Sequence, residues 1–294
     1  MKLKFENFWR GFPLQDNIVT VALRSLGDVE IVNDNPDVII RQGSDPIVRS
    51  GALGISWFVE SMNRIGEPNY SHCDYSLNSC NFNDKRNHRI PFWSTQINWN
   101  DAPKFDINRG PTYYLSTEEL YKPRITENFS SRRPCSSVAS GTLGKRQQFY
   151  PMLSNSLEVV HGGAFLKNTN ELIKKPGNSD YLEKIQFISK FKTNLCFEND
   201  DRAGYVCEKI LHSFVAGCVP IYWGPRNVNE DINKDSFVDI SNFESDEQAI
   251  QYIVDLVNDD LALQQFLEQP IFPDGLIPYH ASPEAVADFF KGVL

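Results

Sequence analysis

Phe191 to Pro225 restricts the fold more than any other stretch of this 294-residue chain. Thr193 to Glu198 is a short apolar run stopped by Asn199-Asp200-Asp201, the pattern of a buried strand. From Tyr205 the period changes: Val206, Ile210 and Phe214 recur at helical spacing with Leu211 and Val215 beside them. Gly217 follows, where a helix ends most easily in a left-handed residue. Cys218 to Trp223 is a second apolar run, closed by Gly224-Pro225. Two buried strands joined by a helix form a right-handed βαβ crossover.

The polar residues of this unit stand where a ligand binds in such sheets, beyond the strand ends and near a helix N-terminus. Asp200 to Gly204 form the loop, and Tyr205, Glu208 and Lys209 are expected on the first helical turns. Free N–H groups there suit a phosphate, and Lys209 adds a full positive charge. Glu208 has the wrong sign for phosphate, but a carboxylate accepts well from two vicinal hydroxyls, as on a ribose. On spacing alone, Glu208 and Lys209 also fit an ordinary solvated helix face.

Phe197-Glu198-Asn199, Tyr205-Val206-Cys207-Glu208-Lys209 and Val219-Pro220-Ile221-Tyr222-Trp223-Gly224-Pro225, in this order, resemble the signature of the α1,3/4-fucosyltransferases, glycosyltransferase family ten, in its bacterial form. The resemblance implies a GT-B architecture, two Rossmann-like α/β domains facing each other across a cleft.

A net charge of −9 argues against a dedicated nucleic-acid binder while leaving room for a local basic pocket. No apolar run is long enough to cross a bilayer, and Met1 opens no signal-peptide pattern. The six cysteines make no CxxC pair and no metal spacing, so free thiols in a reducing compartment are expected. The expected localisation is cytoplasmic, with membrane association left open. Animal members of the family are anchored in the Golgi, so a eukaryotic source would place the domain in that lumen.

In the first half, strands are expected at Lys2–Glu6, 29–32, 37–40 and 55–59, with an amphipathic helix over 14–26 and a loop at Asn7-Phe8-Trp9-Arg10-Gly11. Alternating strands and helices indicate a parallel sheet. The strand at Ile55 ends in Glu60-Ser61, at the rim of that sheet. By itself Glu60 reads as a surface acid. The resemblance implies that it is the catalytic base, with Pro68-Asn69-Tyr70, Asp74-Tyr75-Ser76 and Phe82-Asn83-Asp84 supporting the register and Glu67 a second candidate. Residues 94–133 are irregular and basic, with one capping box at Ser116 and Glu119. The boundary is drawn there, giving domains 1–133 for the acceptor and 134–294 for the GDP-sugar.

The second half opens with Val138-Ala139-Ser140 and then Arg146-x-x-Phe149-Tyr150-x-x-Leu153, again similar to the bacterial fucosyltransferases, with Gly141 where they carry Asn. Arg146 reads equally as a pocket cation or a helix-surface charge. Gly162-Gly163…Lys167-Asn168-Thr169 stands where the family has Arg in that context, and lysine keeps the charge but not the bidentate fork.

The resemblance implies transfer of L-fucose from GDP-fucose, with inversion, to a GlcNAc or glucose hydroxyl of an oligosaccharide acceptor. Glu60 would take the acceptor proton. Lys167, Lys209 and Tyr205 would meet the diphosphate, Glu208 the ribose, and Asn199 and Arg146 the rest of the donor. No cofactor is required when cations do this work; Asp200-Asp201 leaves a divalent metal as a minor alternative. Two other readings stay open: a related GT-B transferase using another GDP-sugar, and a glycan- or nucleotide-binding protein without catalysis.

Overall fold

The computed structural model describes all residues except 10, 49–50, 61–66, 101–104, 107–109, 112–114, 127 and 173–179. Ser61 and Arg10 therefore lie outside the described residues. Two parallel sheets, each wound with helices, form the frame among the residues described.

The first sheet holds β1 (Lys2–Glu6), β2 (Glu30–Ile31), β3 (Val38–Gln42), β4 (Leu53–Phe58), β5 (Tyr75–Asn78) and β6 (Asn87–Arg89) in the order β2-β1-β3-β4-β5-β6. Helix α1 spans Ile18–Arg24, shorter than the apolar period suggested. Asn17 explains the late start. Its side chain accepts from the Val19 and Thr20 amides and donates to the Pro13 carbonyl at 2.8 Å, so the preceding residues turn instead of winding.

The connection carries β7 (Ile97–Asn98) beside β10 (Leu115–Ser116), and β8 (Phe105–Asp106) antiparallel to β9 (Gly110–Pro111). Helix α2 (Thr117–Tyr121) has the capping box read from Ser116 and Glu119.

The second sheet is built from β11 (Arg133–Ser137), β12 (Val159–His161), β13 (Phe191–Leu195), β14 (Val219–Tyr222) and β15 (Val238–Asp239), in the order β12-β11-β13-β14-β15. Helices α4 (Asp180–Ile188) and α5 (Glu208–Val215) cover one face through Phe187, Ile210 and Phe214. Helices α3 (Arg146–Ser156), α6 (Asp246–Val257) and α7 (Asp260–Glu268) cover the other through Phe149, Leu153, Ile253 and Leu263. Covering both faces is what near-continuous apolar strands require.

The last helix, α8 (Pro283–Lys291), does not stay with the second sheet. Val286, Ala287 and Phe290 join the core of the first sheet with Leu3, Ile18 and Val19. The closing helix thus returns to the first half.

The carboxyl ends of the two sheets meet at a bonded seam. The Asn81 amide donates to Ala203 O at 2.8 Å, and the Trp93 amide to Val206 O at 3.3 Å. Arg89 donates to Gly204 O and ion-pairs with Asp231. Asp231 is fully buried and also accepts from Trp93 Nε1 at 3.0 Å and bonds His280 Nε2 at 2.6 Å. Among the described residues, no helix is long and apolar enough to cross a membrane.

Candidate active site

In the second sheet the strand order reverses between β11 and β13, because the chain leaves β11 to one side for β12 and returns on the other. Backbone crevices open beyond the carboxyl ends of strands at such a point. A small cavity lies there. Val138 and Ala139 after β11, Asn194 within β13, and the cations Arg146, Lys184 and Lys209 line it. Gly163 is needed beside it: a Cβ there would come within 2.1 Å of Ala139 O.

Arg146 and Lys209 are each fixed by named acceptors. Arg146 is buried at the start of α3 and donates to Phe197 O and, at 2.8 Å, to Asn199 Oδ1. This settles its place as an inner charge, not a helix-surface one. Lys209 ion-pairs at 2.9 Å with Glu198, a carboxylate with 0% exposure. The other Glu198 oxygen accepts from the Cys207 amide at 2.7 Å, at the mouth of α5. Lys184 Nζ stands 3.9 Å from Glu208 Oε1.

These neighbours set the charge states. Burial alone would raise the Glu208 pKa, but Lys209 and Lys184 pull it down to about 2, so the group stays ionised. Burial opposes the Lys209 ammonium, yet the acidic groups around it, Cys207, Glu198 and Glu208, hold its pKa well above the usual lysine range. Burial also depresses Lys184, with Glu208 acting in the opposite direction. His212, one turn after Glu208, is held neutral by burial.

Helix α5 begins at Glu208, with Cys207 as its N-cap, so Tyr205 and Val206 precede it instead of opening its first turn. The cause is tertiary. Tyr205 has 1% exposure and packs with Cys80 and Cys207 against Phe82 and Phe92, so the seam holds this segment out of the helix. Strand β13 likewise ends at Leu195, and Phe197-Glu198-Asn199 continue as the loop that meets Arg146. Gly217 has φ +68° just past the helix, as its position implied.

Glu60 lies two residues beyond β4 and is half-buried. Burial is the main cause that raises the Tyr205 pKa, and the Glu60 charge adds to it, which puts this carboxylate beside the seam loop of the second half. Glu67 ion-pairs with Arg202 at 2.9 Å, on an exposed part of the same seam. Lys167 is exposed on the loop after β12 and does not line the cavity. There the chain turns through Leu166, whose φ is +56°. Asp200 is buried and caps the Arg202 amide, while Asp201 is exposed. Among the described residues, no three His, Cys, Asp or Glu side chains converge as a metal set. All six cysteines are buried free thiols.

Sequence reasoning missed Glu198 and Lys184. Glu198 enters only within the Phe197-Glu198-Asn199 string at a strand end, with no role of its own, though an acid inside an apolar run signals a buried partner. Lys184 sits on a helix whose period gave no sign that it would face the mouth of α5.

Residues 131–269 match the family model described as glycosyltransferase family 10 (fucosyltransferase) C-term. An α-(1,3)-fucosyltransferase FucT of Helicobacter pylori is 31% identical over 252 residues, covering 77% of this chain and 50% of that protein. A 4-galactosyl-N-acetylglucosaminide 3-α-L-fucosyltransferase 9 of Mus musculus is 32% identical over 125 residues, covering 41% of this chain and 32% of that protein. The chain thus spans half or less of the length of these relatives. A crystal structure of an α1,3-fucosyltransferase with GDP-fucose superposes with a TM-score of 0.74 at 22% identity, over 100% of this chain and 90% of that one. The shared fold is GT-B.

Proposed function

Because this chain belongs to glycosyltransferase family 10, we propose that it transfers L-fucose from GDP-fucose to a GlcNAc or glucose hydroxyl of a glycan, with inversion, forming an α1,3 or α1,4 linkage. The observation that carries this reading is the convergence of Arg146, Lys184 and Lys209 on the small cavity at the β11/β13 crossing.

In this reading the acceptor oxygen attacks the anomeric carbon while Glu60 accepts its proton. The bond from that carbon to the diphosphate oxygen breaks on the opposite face, and the electron pair leaves with GDP. Lys209 and Arg146 meet the charge growing on the leaving group, and their fixed acceptors hold them in place beforehand. Glu208, ionised at neutral pH, accepts from the ribose hydroxyls. Asn199 orients Arg146. Tyr205 holds the loop against the first half, and its phenol would reach the diphosphate only if that loop shifts. Lys167 would act from the rim. Protein cations supply the charge stabilisation, so the step is assigned no cofactor.

The test is product formation from GDP-fucose and 4-galactosyl-N-acetylglucosamine in the presence of EDTA, beside GDP-mannose and GDP-glucose. A fucosylated product with release of GDP is expected. Product from another GDP-sugar and none from GDP-fucose would overturn the donor assignment.

A further inference from the structure

The first sheet has a crossing of its own, between β1 and β3, and what stands beyond it is aromatic. Phe8 and Phe12 stack at 4.2 Å, and both rings meet Trp57 of β4, at 5.6 and 5.8 Å. Trp57 and Phe12 are buried. Trp9 is not: it meets the edge of Phe12 at 4.9 Å and 81°, yet keeps 46% exposure. The loop that carries it is held by unusual backbone. Asn7, which is not glycine, has φ +61°, and Gly11 has φ +87°. A non-glycine residue in that region is uncommon and points to a conformation the surroundings impose.

The position of this loop gives the exposed indole a meaning. β1, β3 and β4 are parallel neighbours, so their carboxyl ends share one edge. Two inter-strand steps separate the β1 end from the β4 end, roughly 10 Å. Glu60 follows β4, and its charge acts on Tyr205 of the seam loop in the second half. A pyranose ring has one face of C–H groups and a rim of hydroxyls. An indole held rigidly by other rings offers a large apolar face to such a surface at little entropic loss.

We propose that Trp9 is the floor of the acceptor site, stacking on the pyranose next to the one whose hydroxyl Glu60 deprotonates. The inference rests on the transferase reading for the identity of the reacting sugar, but not for the binding of a glycan. The ring would recognise the neighbouring sugar by shape, so its removal should matter for a disaccharide more than for a monosaccharide.

Saturation-transfer NMR with 4-galactosyl-N-acetylglucosamine and with N-acetylglucosamine tests this on the full chain, with GDP affinity by calorimetry as a control. Trp9→Ala should weaken disaccharide binding about tenfold or more and leave the GDP dissociation constant unchanged. Trp9→Phe should recover most of the loss. Unchanged disaccharide affinity in Trp9→Ala would overturn the proposal, as would equal losses for GDP. If the wild-type chain binds the disaccharide through Trp9 but forms no fucosylated product, the platform stands and the reaction assignment falls.

Discussion

Apart from β6 at the edge of the first, the two sheets run through the same strand order, β2-β1-β3-β4-β5 and β12-β11-β13-β14-β15, and so open crevices at equivalent places. What fills the two crevices differs. The second gathers Arg146 and Lys209, each held by an acceptor, and Lys184, 3.9 Å from the Glu208 carboxylate. The first gathers Phe8, Trp9, Phe12 and Trp57, with one half-buried carboxylate two residues past β4. Shared topology supplies a place for a ligand; side chains decide which ligand it suits. A cationic pocket suits a nucleoside diphosphate, and an aromatic floor beside an acid suits a sugar that must lose a proton.

The sharpest way to break this comparison is to remove the acid. Glu60→Gln should lower the transfer rate by about 10² to 10⁴, with the GDP dissociation constant within twofold of wild type by calorimetry. A normal rate would return Glu60 to the status of a surface acid and raise Glu67.

On the other side of the cleft, Lys209→Met leaves Glu198 fully buried without its cation. Stability should fall by about 3–5 kcal/mol, read by denaturant melts, and GDP binding should be lost. Adding Glu198→Gln should restore much of the stability but not the GDP binding. If the double variant binds GDP as wild type does, Lys209 has only a structural role.

Proton linkage gives the fold a dependence on pH. Burial pushes the His88 pKa down to about 4, and its ring stacks on Phe289 of the returning helix α8 at 5.2 Å. A histidine with a depressed folded pKa contributes stability that is complete above its unfolded value and is lost as pH falls towards the folded one. The loss should run from pH 6.5 down to about 4 and reach up to about 3 kcal/mol. Glu208, with a folded pKa of about 2 against 4.5, keeps its contribution until pH falls below about 4.5. The buried His212 in the second half acts with the same sign, so both halves lose stability as pH falls below 6.5. His88→Phe should flatten the melting temperature between pH 6.5 and 4; an unchanged slope would remove His88 from the account.

The smallest effect concerns Lys184. Lys184→Met should weaken GDP binding about tenfold and shrink the preference for GDP over 2′-deoxy-GDP, because the Glu208 carboxylate loses the cation beside it. A preserved preference would mean that Lys184 does not act through Glu208.

Much of this molecule is legible in its sequence where local rules suffice. The βαβ unit, the capping box at Ser116 and Glu119, and Gly217 all follow from periodicity and cap chemistry, and each is found. The FEN and YxxEK strings flank the loop that borders the small cavity. Local rules fail where the other half of the chain intervenes. Tyr205 fits a helix by spacing, but the first half draws its ring into the seam. Helix α8 shows an amphipathic period, yet nothing in that period says which sheet its apolar face meets. Lys167 carried a family role by register, while the structure leaves it exposed on its loop. Lys184 and Glu198 show the converse: residues of ordinary appearance that become part of the site only through the crossing of α4, α5 and β13.

The division between a nucleotide half and a sugar half is tested most directly by amide hydrogen exchange on adding GDP alone. Protection is predicted at 138–146 and 197–209, with none at the 7–11 loop. Protection of 7–11 with the 197–209 loop unchanged would contradict it.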